Sequence, residues 1–479
     1  MLKKNLLLLI SWASVFCLHA QDTWTLERCI DYAQKNSTSV KQALIGLETT
    51  QLTDKQLKSS RLPDLNGSVS YGGNFGYSID PASNQFINQA TAFNNFGLNT
   101  GGAIYQGGRI TKSLKQNQYS KEAAQADLEN SAQTISLSVA NSYLRILLAE
   151  EQAIAAQKRM EQSKRQMEQV NKFIAAGARP KNDVFEFVAQ LSRNEQALVQ
   201  AQNSVDLEYL TLKQLLELDP DAAFKIDKPN IKVPTENGVE GLTLRAVYQQ
   251  AYSRQPQIKA GEMRLKAAEM QADIEKTALR PTLSWFGGAS TRYSSTKFPR
   301  FDRTNPTTIS VPQNITVNGV KQVIFLEQEI YPLLPNLSFL GILKNNFGQN
   351  LGLSLNVPIY DRGQTKLDIE RAKLSVLRQQ LDNQRTTQQL KSDIQNALAS
   401  AKAGKKQWEA SEKTFIAAQA AFDNADKKFA VGSANSFELT TARNNMDTAE
   451  RDVIIAKYDY LFRLKIVDFY QGRKITLNQ

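Results

Sequence analysis

The spacing of apolar residues changes period several times along the chain. From Trp24 to Arg61 apolar residues recur at helical spacing, with Leu44, Leu47, Leu52 and Leu57 forming part of one stripe. The pattern predicts helices over 24–36 and 38–61, the second ended by Pro63. The period then drops to two. Val69, Tyr71, Phe75 and Tyr77 alternate with polar or glycine positions, which predicts a strand over 65–78. A polar, Asn-rich stretch reads as a loop. Alternation resumes at Phe96, Leu98, Gly102 and Ile104, a second strand over 96–105. After the turn YQGGRI comes a proline-free helical pattern from about Ile110 to Ala175, then a short tip, then a returning helix from about Asn182 to Leu218. A helix of roughly 65 residues is about 95–100 Å long. The two helices make a hairpin over 109–218.

The series then repeats. Helices are expected over 242–280 and strands over 283–293 and 351–360, with an inserted external loop at 294–346. A helical hairpin over 363–470 follows, built from Lys366–Ala430 and Ser436–Tyr470. In the insertion, Asn318-Gly319 between two apolar runs suits a type I′ turn. Trp408, Phe415, Phe422 and Phe429 stand seven apart. Their counterparts Ala153, Met160, Met167 and Ile174 keep the same register. A strict seven-residue stripe packs on a neighbouring helix as in a coiled coil.

The resemblance between halves is residue by residue. Thr25, Leu26, Ala33, Lys41 and Pro63 match Thr243, Leu244, Ala251, Lys259 and Pro281 at one displacement. Gly97-Leu98, Ile104-Tyr105, Gly108 and Gly177 match Gly352-Leu353, Ile359-Tyr360, Gly363 and Gly432 at a larger one, the difference being the insertion. This is a duplicated half-molecule, not a solenoid period. The expected organisation is a signal peptide at 1–20, a first structural repeat at 21–227, a Pro- and Gly-containing linker at 228–241, a second repeat at 242–471 and a tail at 472–479.

Composition narrows the chemistry. Lys3 and Lys4 precede an apolar run ending before Ala20, the pattern of an exported protein's signal peptide. Without residues 1–20 the chain keeps one cysteine, Cys29, and no histidine. Imidazole-based acid–base catalysis and His-ligated metal sites are thereby excluded. A lone cysteine forms no internal disulfide, and Cys29 sits at an apolar position of an amphipathic helix, so it reads as a buried structural thiol. The expectation is a non-enzyme without cofactor or metal. The net charge of +11 is spread along helix faces rather than gathered in blocks, so no nucleic-acid partner is expected. No later segment carries 18 consecutive apolar residues, so no transmembrane helix is expected. The alternating strands point instead to an outer-membrane β-sheet. Each half supplies two strands. Four cannot close a barrel, and open edges in lipid are prohibitively costly. The chain must share a barrel with copies of itself, though these constraints do not fix the number of copies.

The tips carry a recurring motif, AAGARPKNDVFEFVAQ from Ala175 and AVGSANSFELTTARNN from Ala430. In each, glycine follows an apolar residue, and an acidic–apolar pair stands six residues on: Gly177 with Asp183-Val184, Gly432 with Glu438-Leu439. Glycine supplies the left-handed residue that ends a helix. Asn182-Asp183 and Asn435-Ser436 offer capping oxygens to the next one. Together with the TLxxAxxxAxxxxP-like opening helix in both halves, carried by Thr25, Leu26 and Ala33 and by Thr243, Leu244 and Ala251, and the IYDRG turn after a strand, these features resemble the TolC-type outer membrane efflux protein family over nearly the whole chain. The resemblance implies an α+β membrane protein. Its long antiparallel hairpins form an α-barrel in the periplasm, and its four strands per chain enter a shared trimeric twelve-stranded β-barrel in outer membrane lipid. It implies the exit duct of a tripartite efflux pump, partnered by a periplasmic adaptor and an inner-membrane transporter. The tips dock the adaptor, here through Gly177, Arg179, Asn182, Asp183, Val184, Gly432, Asn435 and Leu439. They also close an aperture, here at Asp183, Phe429, Glu438 and Thr441. Family links at the second tip use tyrosine and arginine where this chain has Phe429 and Ala434, so Arg179 is the candidate to substitute. Of two acidic rings, only Glu438 remains, with Thr441 at the other position.

Two other readings stay open on sequence alone. A type I protein-secretion duct shares the architecture. A periplasmic or surface coiled-coil structural protein would leave both strand pairs unexplained.

Overall fold

The computed structural model describes residues 23–80, 84–229, 239–296, 300–317 and 319–476. The expected signal peptide, most of the linker, Asn318 and the end of the tail lie outside these residues. Among the described residues no helix is long and apolar enough to cross a membrane.

The helices are α1 (Leu26–Asn36), α2 (Thr38–Ser59), α3 (Arg109–Ala175), α4 (Val184–Leu215), α5 (Leu244–Arg254), α6 (Pro256–Glu275), α7 (Phe339–Asn345), α8 (Gln364–Ala430) and α9 (Ser436–Tyr470). The strands are β1 (Asp64–Asn74), β2 (Tyr77–Ile79), β3 (Phe86–Asn88), β4 (Thr91–Gln106), β5 (Thr282–Ser294), β6 (Arg300–Phe301), β7 (Thr307–Val317), β8 (Val320–Ile330), β9 (Leu333–Leu334) and β10 (Gly348–Asn356). Two compact units share the chain. One gathers the described residues up to Thr53 with Gln116–Glu269 and those from Lys373 onward, and the other comprises Asp54–Lys115 and Met270–Ala372.

The strand-bearing unit holds a four-stranded antiparallel sheet in the order β1-β4-β5-β10, beside two-stranded ribbons. Its register sorts most side chains by polarity, with Phe93 and Phe286 as exceptions on the polar face. Leu65, Val69 and Tyr71 share a face with Leu98, Trp285, Ala289, Leu351 and Leu353, while Asn66, Ser68, Asn95, Asn99, Ser284 and Ser354 share the other. Leu351 is 82% exposed and Val69 74%, so much of the apolar face is open among the described residues. Apolar outside and polar inside is the alternation of a membrane barrel wall. Aromatic residues bracket the face. Tyr71 and Tyr293 both flank Asn94 near one end, and Trp285 and Tyr105 lie near the other. Eight residues separate Trp285 from Tyr293, about 26 Å along a strand and comparable to the apolar band of an outer-membrane barrel. Such girdles sit at membrane interfaces.

Strand boundaries differ from the sequence pattern in three places, one being β4, which begins at Thr91 rather than at Phe96. The first strand stops at Asn74, and Tyr77 and Phe86 stack in a separate β2–β3 ribbon with ring centres 5.5 Å apart. The last strand runs over Gly348–Asn356 rather than 351–360, because Pro358 has no N–H to continue the ladder. The two connections into the long helices are conformationally alike. Gly107-Gly108 has φ of +62° and +87°, and Arg362-Gly363 has +59° and +79°. In the first copy a β-carbon at Gly107 would stand 2.9 Å from the Thr277 carbonyl oxygen, which leaves no room for the arginine that the second copy carries.

Among the described residues the helical unit has three apolar clusters. One surrounds Tyr143, Ile146, Leu212 and Leu26 with Cys29. Tyr143 donates its hydroxyl to the Asp227 carbonyl at 2.6 Å, which ties α3 to the segment leaving the first repeat. Another surrounds Leu390, Ile394 and Tyr460, with Trp408 stacked on Tyr460. The third lies at the hairpin tips. The seven-residue stripe ends in that cluster, where Phe422 and Phe429 are buried. A second stripe on α8, Leu367, Leu374 and Leu381, is more than half exposed, as is Leu52 on α2, so these seams are left open among the described residues.

Candidate functional site

Both tips leave their long helix through the same backbone motif. Gly177 adopts φ of +69°, its N–H bonds to the Ile174 carbonyl, and the Ala178 N–H reaches back to Phe173. Gly432, at φ of +77°, repeats this with Phe429, and Ser433 with Lys428. This paired closure satisfies carbonyls that the helix end would otherwise leave open. A β-carbon at either glycine would meet nothing within 4 Å, so the left-handed backbone, not crowding, calls for glycine.

The entries into the returning helices differ. Asn435 caps α9, its Oδ1 accepting from the Glu438 N–H at 2.8 Å. At the first tip no side chain caps, contrary to the expectation for Asn182-Asp183. Pro180 starts a 3-10 turn over Lys181–Asp183, and the Asp183 N–H is bonded to the Pro180 carbonyl. Asp183 is already helical, at φ of −61° and ψ of −24°, so its carboxylate is not placed to receive the following N–H groups. It faces Arg179 instead, at 3.6 Å. Asn182 is exposed, and Val184 is half-buried at the start of α4.

Arg179 joins the two hairpins. Its guanidinium carbon stands 3.8 Å from the centre of the Phe429 ring, and Nη2 donates to the Phe429 carbonyl at 3.5 Å. Phe187 packs on the other aromatic, ring centres 6.0 Å apart. Phe429 is 5% exposed, and Ala434 and Leu439 are buried beside it. Ala434, the counterpart of Arg179, leaves the space that Phe429 and its neighbours fill. The second tip therefore supplies an aromatic face, and the first supplies the cation that sits on it.

Glu438 and Thr441 point away from this cluster. Glu438 is half exposed and lies 3.8 Å from Lys428. Both line an open groove of about 940 Å³ between α8 and α9, with Ala417, Ala421 and Phe437. Val431, Phe437 and Phe185 are 80%, 72% and 69% exposed, an apolar presentation at the tips.

Next to the cluster along α9 is a polar joint that sequence reasoning missed. Arg443 is 2% exposed; it donates to Gln166 of α3 and lies over Phe422 at 5.9 Å and within 4.0 Å of Asp447. Its Nε and Nη2 have no hydrogen-bond partner among the described residues. Burial holds the Arg443 guanidinium below its usual pKa and pushes the Asp447 carboxyl up, against the pull of Arg443 and Arg159. Arg159 pairs with Glu450 at 2.7 Å nearby. The only sequence signal was a charged residue at an a/d-like position, four residues after Leu439. Phe187 was also missed, although it stands at helical spacing from Val184. Among the described residues no cluster of His, Cys, Asp or Glu could hold a metal ion.

The model of the outer membrane efflux protein family matches residues 29–217 and 336–465. Among curated proteins none matches the sequence. Solved structures share the fold at low identity. The chain aligns with VceC, an outer membrane protein of Vibrio cholerae, at 17% identity and a TM-score of 0.71, covering 94% of this chain and 96% of that one. It aligns with the CmeC outer membrane channel of Campylobacter jejuni at 17% identity and 0.70, covering 95% and 87%. CusC, described as forming a transmembrane channel, aligns at 15% and 0.72, covering 94% and 92%. With two-thirds of its length matched, and the sheet and paired hairpins that the family architecture requires, the chain belongs to the outer membrane efflux protein family.

Proposed function

We propose that three copies of this chain form an outer membrane duct, which takes small molecules from a periplasmic adaptor and an inner-membrane transporter and releases them outside. The carrying observation is the β1-β4-β5-β10 sheet, apolar on one face and polar on the other, with β1 and β10 as its edges. Unpaired edges are not tolerated in lipid, so β10 of one copy pairs with β1 of the next. The exposed leucine seam of α8 supports the same reading, since a heptad stripe needs a neighbouring helix. The duct catalyses nothing and draws its energy from the transporter.

In this reading the tips do two jobs. Val431, Phe437 and Phe185 offer apolar contact to the adaptor beside Gly177, Asn182, Val184, Gly432 and Asn435, while Leu439 is buried beneath them and supports the tip rather than touching the adaptor. Arg179, Asp183 and Phe429 hold the second hairpin against the first and so set the aperture, which Glu438 and Thr441 line. Asp183 acts by orienting Arg179. Purification from native membranes tests the proposal. A detergent-resistant trimer should bring down an adaptor and a transporter, and Gly432→Pro should release them while the trimer stays intact. A monomeric, soluble protein would refute the duct, and a co-purifying transporter dedicated to a protein substrate would replace small-molecule efflux with secretion.

A further inference from the structure

The insertion in the second repeat forms a built arm. Its base is pinned to β5: Tyr293 packs on Phe339 with ring centres 4.9 Å apart, Thr291 donates to the Leu343 carbonyl at 2.5 Å, and Asn346 donates to the Arg292 carbonyl at 3.0 Å. Above the base, β6 pairs with β9 and the Asp302 N–H bonds to Pro332, making a short stalk. The arm proper is the β7–β8 ribbon, with all eleven residues of each strand paired from Thr307↔Ile330 to Val317↔Val320. Gly319 at φ of +80° closes the tight end.

The register gives this ribbon two unlike faces. Ile309, Val311 and Ile315 share one with Val320, Ile324 and Leu326, and that face holds no charged residue. Lys321, Glu327 and Glu329 all fall on the other, with Ser310, Asn314 and Thr316, interrupted by Val323 and Phe325. Val320 is 60% exposed and Leu326 47%, so the aliphatic face is open in the single chain. A lone two-stranded ribbon is marginal in water and needs a surface to pack on. The β7 edge is a poor template for it: Pro312 fits the ladder only with its ring nitrogen turned outward, which removes a donor that an added strand would need.

The position in the chain names the occupant. The sheet's helix-connected ends belong to the periplasmic side, so the β5–β10 connection leaves on the external side, beyond the row of Tyr71 and Tyr293. The membrane span is already covered by β5 and β10. β10 is also the sheet edge that meets the next copy, so the arm rises beside the subunit seam. Each copy has only one apolar arm face. In a threefold ring, copies that use the same patch must turn it toward the shared axis. We infer that the aliphatic faces of the β7–β8 ribbons pack against one another around the axis of the trimer, forming a collar over the external mouth of the duct; this rests on the trimeric reading above. A strand of eleven residues reaches about 36 Å, enough to approach the axis from the rim.

The test uses the full-length protein in outer membranes, in a Cys29→Ala background, with Leu326→Cys on the aliphatic face and Asn314→Cys on the other. Under copper–phenanthroline oxidation, Leu326→Cys should form a disulfide-linked dimer within the trimer and Asn314→Cys should not. Ile324→Cys, on the same face, repeats the measurement should Leu326→Cys fail to assemble. An intact trimer in which Leu326→Cys stays uncrosslinked and reacts with a membrane-impermeant maleimide as readily as Asn314→Cys overturns the collar alone. So does an intact trimer in which Leu326→Cys is protected, uncrosslinked and quenched by a lipid-borne nitroxide, which would make the membrane the occupant. Absence of the trimer overturns the duct itself, and the collar with it.

Discussion

The Arg179 guanidinium, on the first hairpin's tip, is seated 3.8 Å from the centre of the Phe429 ring, on the second. The pair spans the duplicated halves and does so at positions that have diverged. The counterpart of Arg179 is Ala434, and that of Phe429 is Ile174, so neither half could make this contact with a copy of itself. A cation–π contact of this kind contributes about 0.5–2 kcal/mol. In a double-mutant cycle, Arg179→Ala and Phe429→Ala should each loosen the tip, with a coupling of about that size, while Phe429→Tyr should retain it. Hydrogen exchange at the first turns of α9 reads the effect, and strictly additive changes would remove the pair as a latch.

Glu438 is the acidic side chain lining the groove beside Thr441, and it is only weakly neutralised by Lys428 at 3.8 Å. Repeated in three copies at a constriction it should favour cations. Glu438→Gln should lower the cation preference of single channels in planar bilayers, and a reversal potential unmoved by the change would take Glu438 out of the aperture.

The buried Arg443–Asp447 joint makes a stability prediction with a definite pH sign. Removing one member of a buried charged pair leaves the other uncompensated and costs about 3–5 kcal/mol, so Arg443→Met should destabilise strongly. The double replacement Arg443→Met with Asp447→Leu should recover most of the loss. The Asp447 carboxyl is raised in the folded chain by burial. The folded state therefore binds its proton more tightly than the unfolded state does. The cost of burying its charge is present above the folded pKa and is relieved as pH falls through that value. Asp447→Asn should flatten the pH dependence of thermal stability above the usual aspartate range, and an unchanged profile would contradict the assignment.

Cys29 is fully buried, and burial pushes its thiol up to about 12. A thiol held protonated at neutral pH and shut from solvent is a poor nucleophile. The folded protein should resist alkylation by iodoacetamide at neutral pH and react fully in denaturant. Rapid modification without unfolding would show that the cluster around Tyr143 and Leu212 opens.

How much of this was legible in the sequence differs by element. The long helices declared themselves because nothing interrupts a seven-residue stripe from Trp408 to Phe429. The sheet was legible because strict alternation from Val69 to Tyr71, and from Leu351 to Leu355, fits no helix. Local chemistry was harder. Asn182 and Asp183 look like caps, but Pro180 fixes a turn that leaves Asp183 helical and frees its carboxylate for Arg179. Little in the sequence sets Arg443 apart from the other charges on the helix faces, because its burial depends on Gln166 and Phe422, which are distant in sequence. The end of β10 was set by Pro358, a missing donor that alternation alone overrides.

Single-channel conductance of the purified trimer, with and without Arg179→Ala, tests the central claim most directly. If three copies form a duct whose aperture is held by the contact between the two tips, the wild-type trimer conducts as discrete channels, and Arg179→Ala raises the conductance or the open fraction. Losing about 0.5–2 kcal/mol in each copy would multiply the open-to-closed ratio of each tip by roughly two to thirty. Absence of channels, or identical conductance and open fraction in the two proteins, would contradict it.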